Sequence, residues 1–427
     1  LLKANTDEYE LLDLEGWTRQ LRLVTKLNGK GKVLAASSVC EGGVAAALSK
    51  MSFGNGIGFA FHEKVNTGEL FTPDYGSLLL EIPGNEDLDS LFGEINYQLL
   101  GMTQTEKVIK VNGIEIPLNL AKDKWEAPLE EVFPTKTRGQ VERPQQFPFK
   151  AGRKRKTALA VAKPRIFMPI FPGTTGEYET EQAFSSAGGK VETLLFKNLK
   201  QQDLEESLAS MLKLINNAQI LVLPGGMSAG NEPDGAGKFI VNIFHKPRIK
   251  EALLELLKER DGLILGIDNG FQALVKLGLV PYGEFRERKE NAPVLITNTG
   301  VHHISRFVQL KVISTISPWL SRVKPGDLVC EAFSNAEGCL VASKEEIDLL
   351  AANGQIATQF VDFEGNPTYD PDYNPSGSRE AIEGLTSPDG RILGKMGHSE
   401  RMGQNVAKNV PGVKDLQIFA AGVDYFK

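Results

Sequence analysis

Residues 263–272 read LILGIDNGFQ. Leu263, Ile264 and Leu265 form a short apolar run, Gly266 and Gly270 flank a polar corner, and Phe271, Ala273, Leu274 and Leu277 then recur at helical spacing. The pattern predicts a buried strand, a sharp elbow and an amphipathic helix. In α/β enzymes such an elbow holds up a Ser or Cys nucleophile in a strained backbone conformation at a helix N-terminus. Here the apex is Asp268. What a carboxylate does in that place is the question the sequence raises.

Bulk properties narrow the answer. At 427 residues the chain is long enough for two or three domains. Its composition, 41% hydrophobic and 24% charged, is that of a soluble globular protein, and no apolar run approaches the ~20 residues needed to span a bilayer. Neither membrane insertion nor nucleic-acid binding is expected. The net charge of -6 gives no overall attraction to nucleic acid, and the basic cluster GRKRK at 152–156 lacks aromatic or repeated basic support, so it reads as solvated linker. Cys40, Cys330 and Cys339 are odd in number and form no CxxC pair, which points away from a disulfide framework or zinc site and fits a reducing cytoplasm. A start at Leu1 instead of Met suggests a piece of a longer polypeptide.

The segment between Trp125 and Pro164 is rich in Pro and charge without a sustained apolar period, so residues 126–163 read as a linker. Before it, residues 1–125 mix strand-like runs (GSLLLEIPG, IKVNGIEIPL) with the helix candidate GGVAAALSKMSF, an α+β pattern. The glycines of VCEGGVAAALSKMSFGNGIGF suit either a phosphate cradle at a helix N-terminus or turns and close packing. After it, residues 164–427 alternate strands (PRIFMPIFPG, KVETLLF, QILVLPGG) with helices (179–188, DLEESLASMLKLINNA, RIKEALLELLKERD), which predicts a parallel sheet covered on both faces. Functional loops then belong at the strand ends carrying FPGTTGE, LPGGMSAG and GIDNG.

Taken together, LPGGMSAGNEPDGAGKF, LGIDNGFQALVKLGLVPYGE and LTSPDGRILGKMGHSER resemble the glutamine amidotransferase domain of the phosphoribosylformylglycinamidine synthase family in its single-chain form. Residues 1–125 are similar to a synthase-portion domain like the C-terminal domain of aminoimidazole ribonucleotide synthetase. The resemblance implies a parallel-sheet, flavodoxin-like class I amidotransferase domain preceded by an α+β domain. It further implies a ligase of purine biosynthesis that uses glutamine, formylglycinamide ribonucleotide, ATP and Mg²⁺, with the remaining synthase domains as partners. No cofactor is implied for this stretch by itself, which is not expected to perform the ATP-dependent step alone.

In the family a Cys at the elbow, a His and a Glu two residues later hydrolyse glutamine, and the matching positions are Asp268, His398 and Glu400. The oxyanion hole falls by resemblance on Gly225, Gly226 and Asn269, and substrate contacts on Gln272 and Glu337. From the sequence alone, a helix-capping or solvent role for Gln272 is an equal reading. Departures cluster at the same place. The family's Asn-Cys-Glu after FPGT is Thr175, Gly176 and Glu177, and its Ser-His-Gly-Glu-Gly-Arg segment is SNAEGC, with Asn335 and Cys339 replacing His and Arg.

Attack of a carboxylate on an unactivated amide would give an anhydride from a poor nucleophile, with the oxyanion forming beside residual negative charge. Asp268 is therefore expected to tolerate the turn, to pair with His398 and raise its pKa, and to leave the domain without glutaminase activity. The alternative is a non-catalytic pseudo-amidotransferase that supports the synthase or senses glutamine. A metal site on Asp268, His398 and Glu400 has no support in the spacing, and none is expected. His302 and His303 are adjacent and, in a strand, would point to opposite faces. Cys339 reads as a small buried side chain.

Overall fold

The computed structural model describes residues 1–427 except 7, 8, 10, 63, 94, 133–142, 153–156, 158, 229–236, 287–291, 301 and 404. Most of GRKRK and part of the glycine loop after Ser228 thus lie outside the described residues. Two compact units emerge: Leu1–Val132 with Gln404–Val410, and Phe133–Gly403 with Pro411–Lys427.

In the first unit the helix Leu14–Gly29 begins at Asp13, whose side chain accepts from Gly16 N at 3.1 Å, a local N-cap. Strands Ala35–Ser38 and Leu78–Glu81 pair antiparallel. A four-stranded sheet runs Gly101–Gln104, Gly58–Phe61, Val108–Val111, Ile114–Pro117, and IKVNGIEIPL folds into a hairpin whose Asn112 and Gly113 both have positive φ. The alanine-rich run forms the helix Gly43–Asn55, with Val44, Ala47 and Leu48 packed on Val39, Phe59 and Ile109. Close packing accounts for the glycine at its start: a Cβ on Gly43, at φ 63°, would lie 2.4 Å from the Leu70 carbonyl oxygen.

The second unit is built on one nine-stranded sheet. Its order is Leu328–Asn335, Ile304–Val312, Ile356–Phe360, Ile382–Thr386, Ile392–Lys395, Leu263–Ile267, Ile220–Leu223, Arg165–Ile170, Lys190–Leu195. Side-chain alternation divides the central strands between two cores: Leu263, Leu265 and Ile267 face one, Ile264 the other, and Ile220 and Val222 oppose Leu221 and Leu223 in the same way. One face is covered by the helices Gln201–Asn217, Pro247–Lys258 and Asn269–Leu277, through residues such as Met211, Ile215, Leu253, Leu256 and Phe271. The other is covered by Glu177–Ser186 and Ile418–Asp424, where Phe184 meets Phe419 edge-on and Trp319 packs beside them. Leu204, Leu208 and Leu212 lie partly buried against the first core, on the face their spacing predicts.

The expectation of a parallel sheet holds for five strands and fails for four. The pairings from Ile392–Lys395 to Lys190–Leu195 are parallel, whereas those from Leu328–Asn335 to Ile392–Lys395 are antiparallel. Antiparallel neighbours need no crossover helix, and residues 387–391 turn Ile382–Thr386 directly into Ile392–Lys395. The segment expected as linker is partly laid on this unit: Phe147 is buried in its core, and Lys150 N bonds Ile313 O at 3.1 Å.

The elbow helix is seated tightly on the neighbouring strand, because a Cβ on Gly270 would lie 2.0 Å from the Leu223 carbonyl oxygen. Gly270→Ala is expected to lower stability by about 3 kcal/mol, seen as a lower denaturant midpoint at unchanged m-value. An unchanged midpoint would show that the helix is not so closely held.

Candidate active site

Strand and helix are both fixed by packing, so the residue joining them absorbs the change of direction. Asp268 does so with φ 49° and ψ −108°, a conformation non-glycine residues rarely adopt and one that structures keep where the surroundings enforce it. Its N–H donates to Lys395 O at 2.8 Å on the adjacent strand, and its carbonyl accepts from Gln272 N at 3.0 Å. The side chain is 6% exposed, and Oδ2 accepts from Gly226 N at 3.1 Å.

Gly225 and Gly226 belong to the turn after Ile220–Leu223. Thr175 N bonds Gly225 O at 3.0 Å, tying this turn to the one after Arg165–Ile170. Gly226 adopts φ 125°, and a Cβ on Gly225 would lie 3.1 Å from His398 Cε1 and 3.2 Å from Asp268 Oδ2. A side chain there would press on both of them.

His398 follows the strand Ile392–Lys395 and is held by its N–H to Ala332 O at 2.8 Å. Its Nδ1 lies 2.7 Å from Glu400 Oε1 and its Nε2 3.2 Å from Ser334 O. The Ser334 carbonyl oxygen only accepts, so Nε2 donates to it, and Nδ1 faces the Glu400 carboxyl group. Burial works against a charge on the ring, but the Glu400 hydrogen bond and the charges of Glu400 and Asp268 outweigh it and raise the His398 pKa. The expected Asp268–His398 pairing is thus one of charge: the imidazole's hydrogen bonds go to Glu400 and Ser334. Glu400 is itself buried, and among the described residues its Oε2 has no hydrogen-bond partner. Burial likewise pushes the Asp268 carboxyl from 3.8 up to about 6, against the opposing pull of His398 and of the Gly226 and Asn269 N–H groups.

The structure therefore brings Asp268, His398, Glu400, Gly225, Gly226 and Asn269 together. Gln272 and Glu337 lie at the end of a buried polar chain. Ser228 Oγ donates to Asn269 Oδ1 at 2.5 Å, Asn269 Nδ2 to Gln272 Oε1 at 3.0 Å, and Gln272 Nε2 to Glu337 O. Gly338 N then meets Asn298 Oδ1 at 2.9 Å, and Asn298 Nδ2 meets Asn335 Oδ1 at 3.1 Å. A solvent or capping role for Gln272 is ruled out, since it is 3% exposed and its amide is spent inside the domain. Cys339 is buried with its thiol pushed up to about 11, and so is inert. His302 and His303 turn to different partners, Gly300 O at 2.7 Å and Ser334 Oγ at 3.4 Å. Among the described residues no group of three or more His, Cys, Asp or Glu side chains could hold a metal ion, and no helix is long and apolar enough to cross a membrane.

Sequence reading missed Ser228, Asn298 and three buried charges, Glu331, Glu383 and Lys395. The signal for the charges was present: each interrupts an otherwise apolar strand, in LVCEAF, AIEGL and ILGKM.

A covered α/β sheet with an elbow, an adjoining glycine turn and a carboxylate-held imidazole defines the class of glutamine amidotransferases. The family described as "CobB/CobQ-like glutamine amidotransferase domain" matches residues 163–426, and the chain belongs to it. Relatives bear out the resemblance to the glutamine amidotransferase part of phosphoribosylformylglycinamidine synthase. The chain is 29% identical over 249 residues to phosphoribosylformylglycinamidine synthase subunit PurQ of Sulfurimonas denitrificans, covering 58% of this chain and 96% of that one. It is 30% identical over 239 residues to the same-named subunit of Chlorobaculum parvum, covering 56% and 81%. A chain in the structure of PurLQS from Thermotoga maritima, 20% identical, aligns with 62% of this chain and 100% of its own at a TM-score of 0.44.

Because the Asp268 pKa is raised on folding, its contribution to stability is fully present below pH 3.8 and is lost as the pH rises to about 6. At about 1.4 kcal/mol per pH unit this amounts to about 3 kcal/mol. Asp268→Asn keeps the acceptor for Gly226 N but cannot ionise, so the variant is expected to gain on the native protein between pH 4 and pH 8. Stability curves that stay parallel over that range would contradict the burial of an ionising carboxyl.

Proposed function

We propose that this chain is the C-terminal region of a phosphoribosylformylglycinamidine synthase whose glutaminase domain carries Asp268 at the nucleophile position and does not hydrolyse glutamine. The observation that carries the reading is that Asp268 Oδ2 occupies the Gly226 N–H, a donor that would otherwise meet the substrate oxyanion. Hydrolysis needs a nucleophile that attacks the amide carbon, a base to receive its proton, and free donors for the tetrahedral oxygen. Asp268 supplies a weak nucleophile, His398 has a raised pKa and turns Nε2 to Ser334 O, and the donor is engaged. Asn335 and Cys339, where the family has His and Arg, add to the departure.

In the parent enzyme, ammonia would pass to synthase domains where ATP and Mg²⁺ activate the formyl oxygen of formylglycinamide ribonucleotide. We assign that step to those domains as partners, and the first unit to a synthase-type α+β domain. The three free cysteines suit a cytoplasmic enzyme. The second reading is a pseudo-amidotransferase that supports the synthase or binds glutamine without turnover.

Ammonia release from glutamine is the test. The native protein is expected to match a His398→Ala control, and Asp268→Cys to rise above both. Native turnover above that control would overturn the proposal. Calorimetric titration with glutamine then separates the readings: heat of binding without hydrolysis favours the sensing module, and its absence favours support of the synthase alone.

A further inference from the structure

Three ionisable side chains deep in the sheet are used neither by the elbow nor by the imidazole directly. Lys395 is 1% exposed, and Glu331 and Glu383 are equally buried. Lys395 Nζ donates to Glu331 Oε2 and to Gly397 O, the latter at 2.8 Å, and lies 3.4 Å from Glu383 Oε1. Glu383 accepts from Gly397 N and from Thr358 Oγ1, and Glu331 Oε1 accepts from Ser399 Oγ at 2.8 Å. Apart from Thr358, each of these partners outside the trio belongs to the residue just before or just after His398. Gly397 is set among them so closely that a Cβ would fall 2.5 Å from Glu331 Oε2 and 2.8 Å from Lys395 Nζ. The carbonyl of Lys395 meanwhile receives the Asp268 N–H.

We propose that Lys395, with Glu331 and Glu383, is a positioning cluster that sets the His398 imidazole against Asp268. The Lys395 ammonium and the two carboxylates grip Gly397 and Ser399, and the Lys395 backbone grips the elbow, so one residue holds both members of the pair. Apolar side chains could fill the same space without the desolvation penalty of three charges. They could not bind the N–H and C=O of Gly397 at once. The assignment goes beyond the functional reading and does not depend on turnover.

The test is ¹⁵N NMR of the full chain labelled at histidine, with His398 identified among the five histidines by His398→Gln. The groups facing its ring are Glu400, Asp268, Ser334 O and, through Glu400, Arg401 at 3.9 Å. In Glu331→Gln and Ser399→Ala the ring resonances are expected to shift and the titration midpoint to fall by about one pH unit, the size of an ordinary environmental perturbation, and in Lys395→Met the ring resonances are expected to shift. Arg260→Met is the control for general loosening: Arg260 Nη1 binds Ile215 O, Asn216 O and Ala218 O and touches no part of the cluster. It should lose stability and leave His398 unmoved. Folded Glu331→Gln and Ser399→Ala proteins with native resonances and midpoint would overturn the proposal, as would an equal shift in Arg260→Met. Should Lys395→Met fail to fold, the two milder variants carry the same reading. Glutamine turnover by the native protein would refute the functional proposal and leave these spectra as they are.

Discussion

Asp268 N to Lys395 O is the hydrogen bond on which the site rests. It continues the parallel ladder one residue past the end of the elbow strand, and so forces the chain to turn at Asp268 instead of at the next glycine. The positive φ follows, and with it the direction of the carboxylate toward Gly226. Because the same strand leads through Gly397 into His398, the elbow and the imidazole are referred to one piece of sheet. The electrostatics then follow from burial: a carboxyl and an imidazole buried side by side adjust each other's proton affinity more strongly than either would at the surface.

The polar interior around this point divides into two networks with different jobs. The amide chain from Ser228 through Asn269 and Gln272 to Glu337 is neutral, and it joins the glycine turn, the elbow helix and the 335–338 loop. The charged trio lies on the sheet side and holds the segment bearing His398. The orphaned atoms, Asn335 Nδ2 and Glu400 Oε2, belong to residues at the margins, where the sequence also departs from its family or where the imidazole is oriented.

Much of this was legible in the sequence, for reasons that particular residues make plain. Leu263 to Ile267 read as a strand because a doubly covered strand is apolar throughout, and Phe271, Leu274 and Leu277 read as a helix because their spacing matches its turn. Strand direction leaves no such mark: Ile382–Thr386 is as fully buried as the parallel strand Leu263–Ile267, and only its short connection to Ile392–Lys395 makes it antiparallel. Glu331, Glu383 and Lys395 were hidden because a charge in a strand ordinarily signals the solvent face. Their mutual pairing, which permits burial, joins the adjacent strands Ile382–Thr386 and Ile392–Lys395 to Leu328–Asn335, with Lys395 and Glu331 64 residues apart in the chain. Gln272 was ambiguous for a related reason, since a lone amide on a helix carries no record of what it meets.

The contacts that shape the site span long stretches of chain: 42 residues separate Asp268 from Gly226, 64 separate His398 from Ser334, and 64 separate Lys395 from Glu331. Each closes a large loop, and the entropy of closure must be met before any of them is rewarded. Local helices and hairpins can form without the site, but the site cannot form without nearly the whole second unit. Its integrity is therefore a readout of folding across these long loops: a partly folded chain would own the sequence of the elbow without its chemistry.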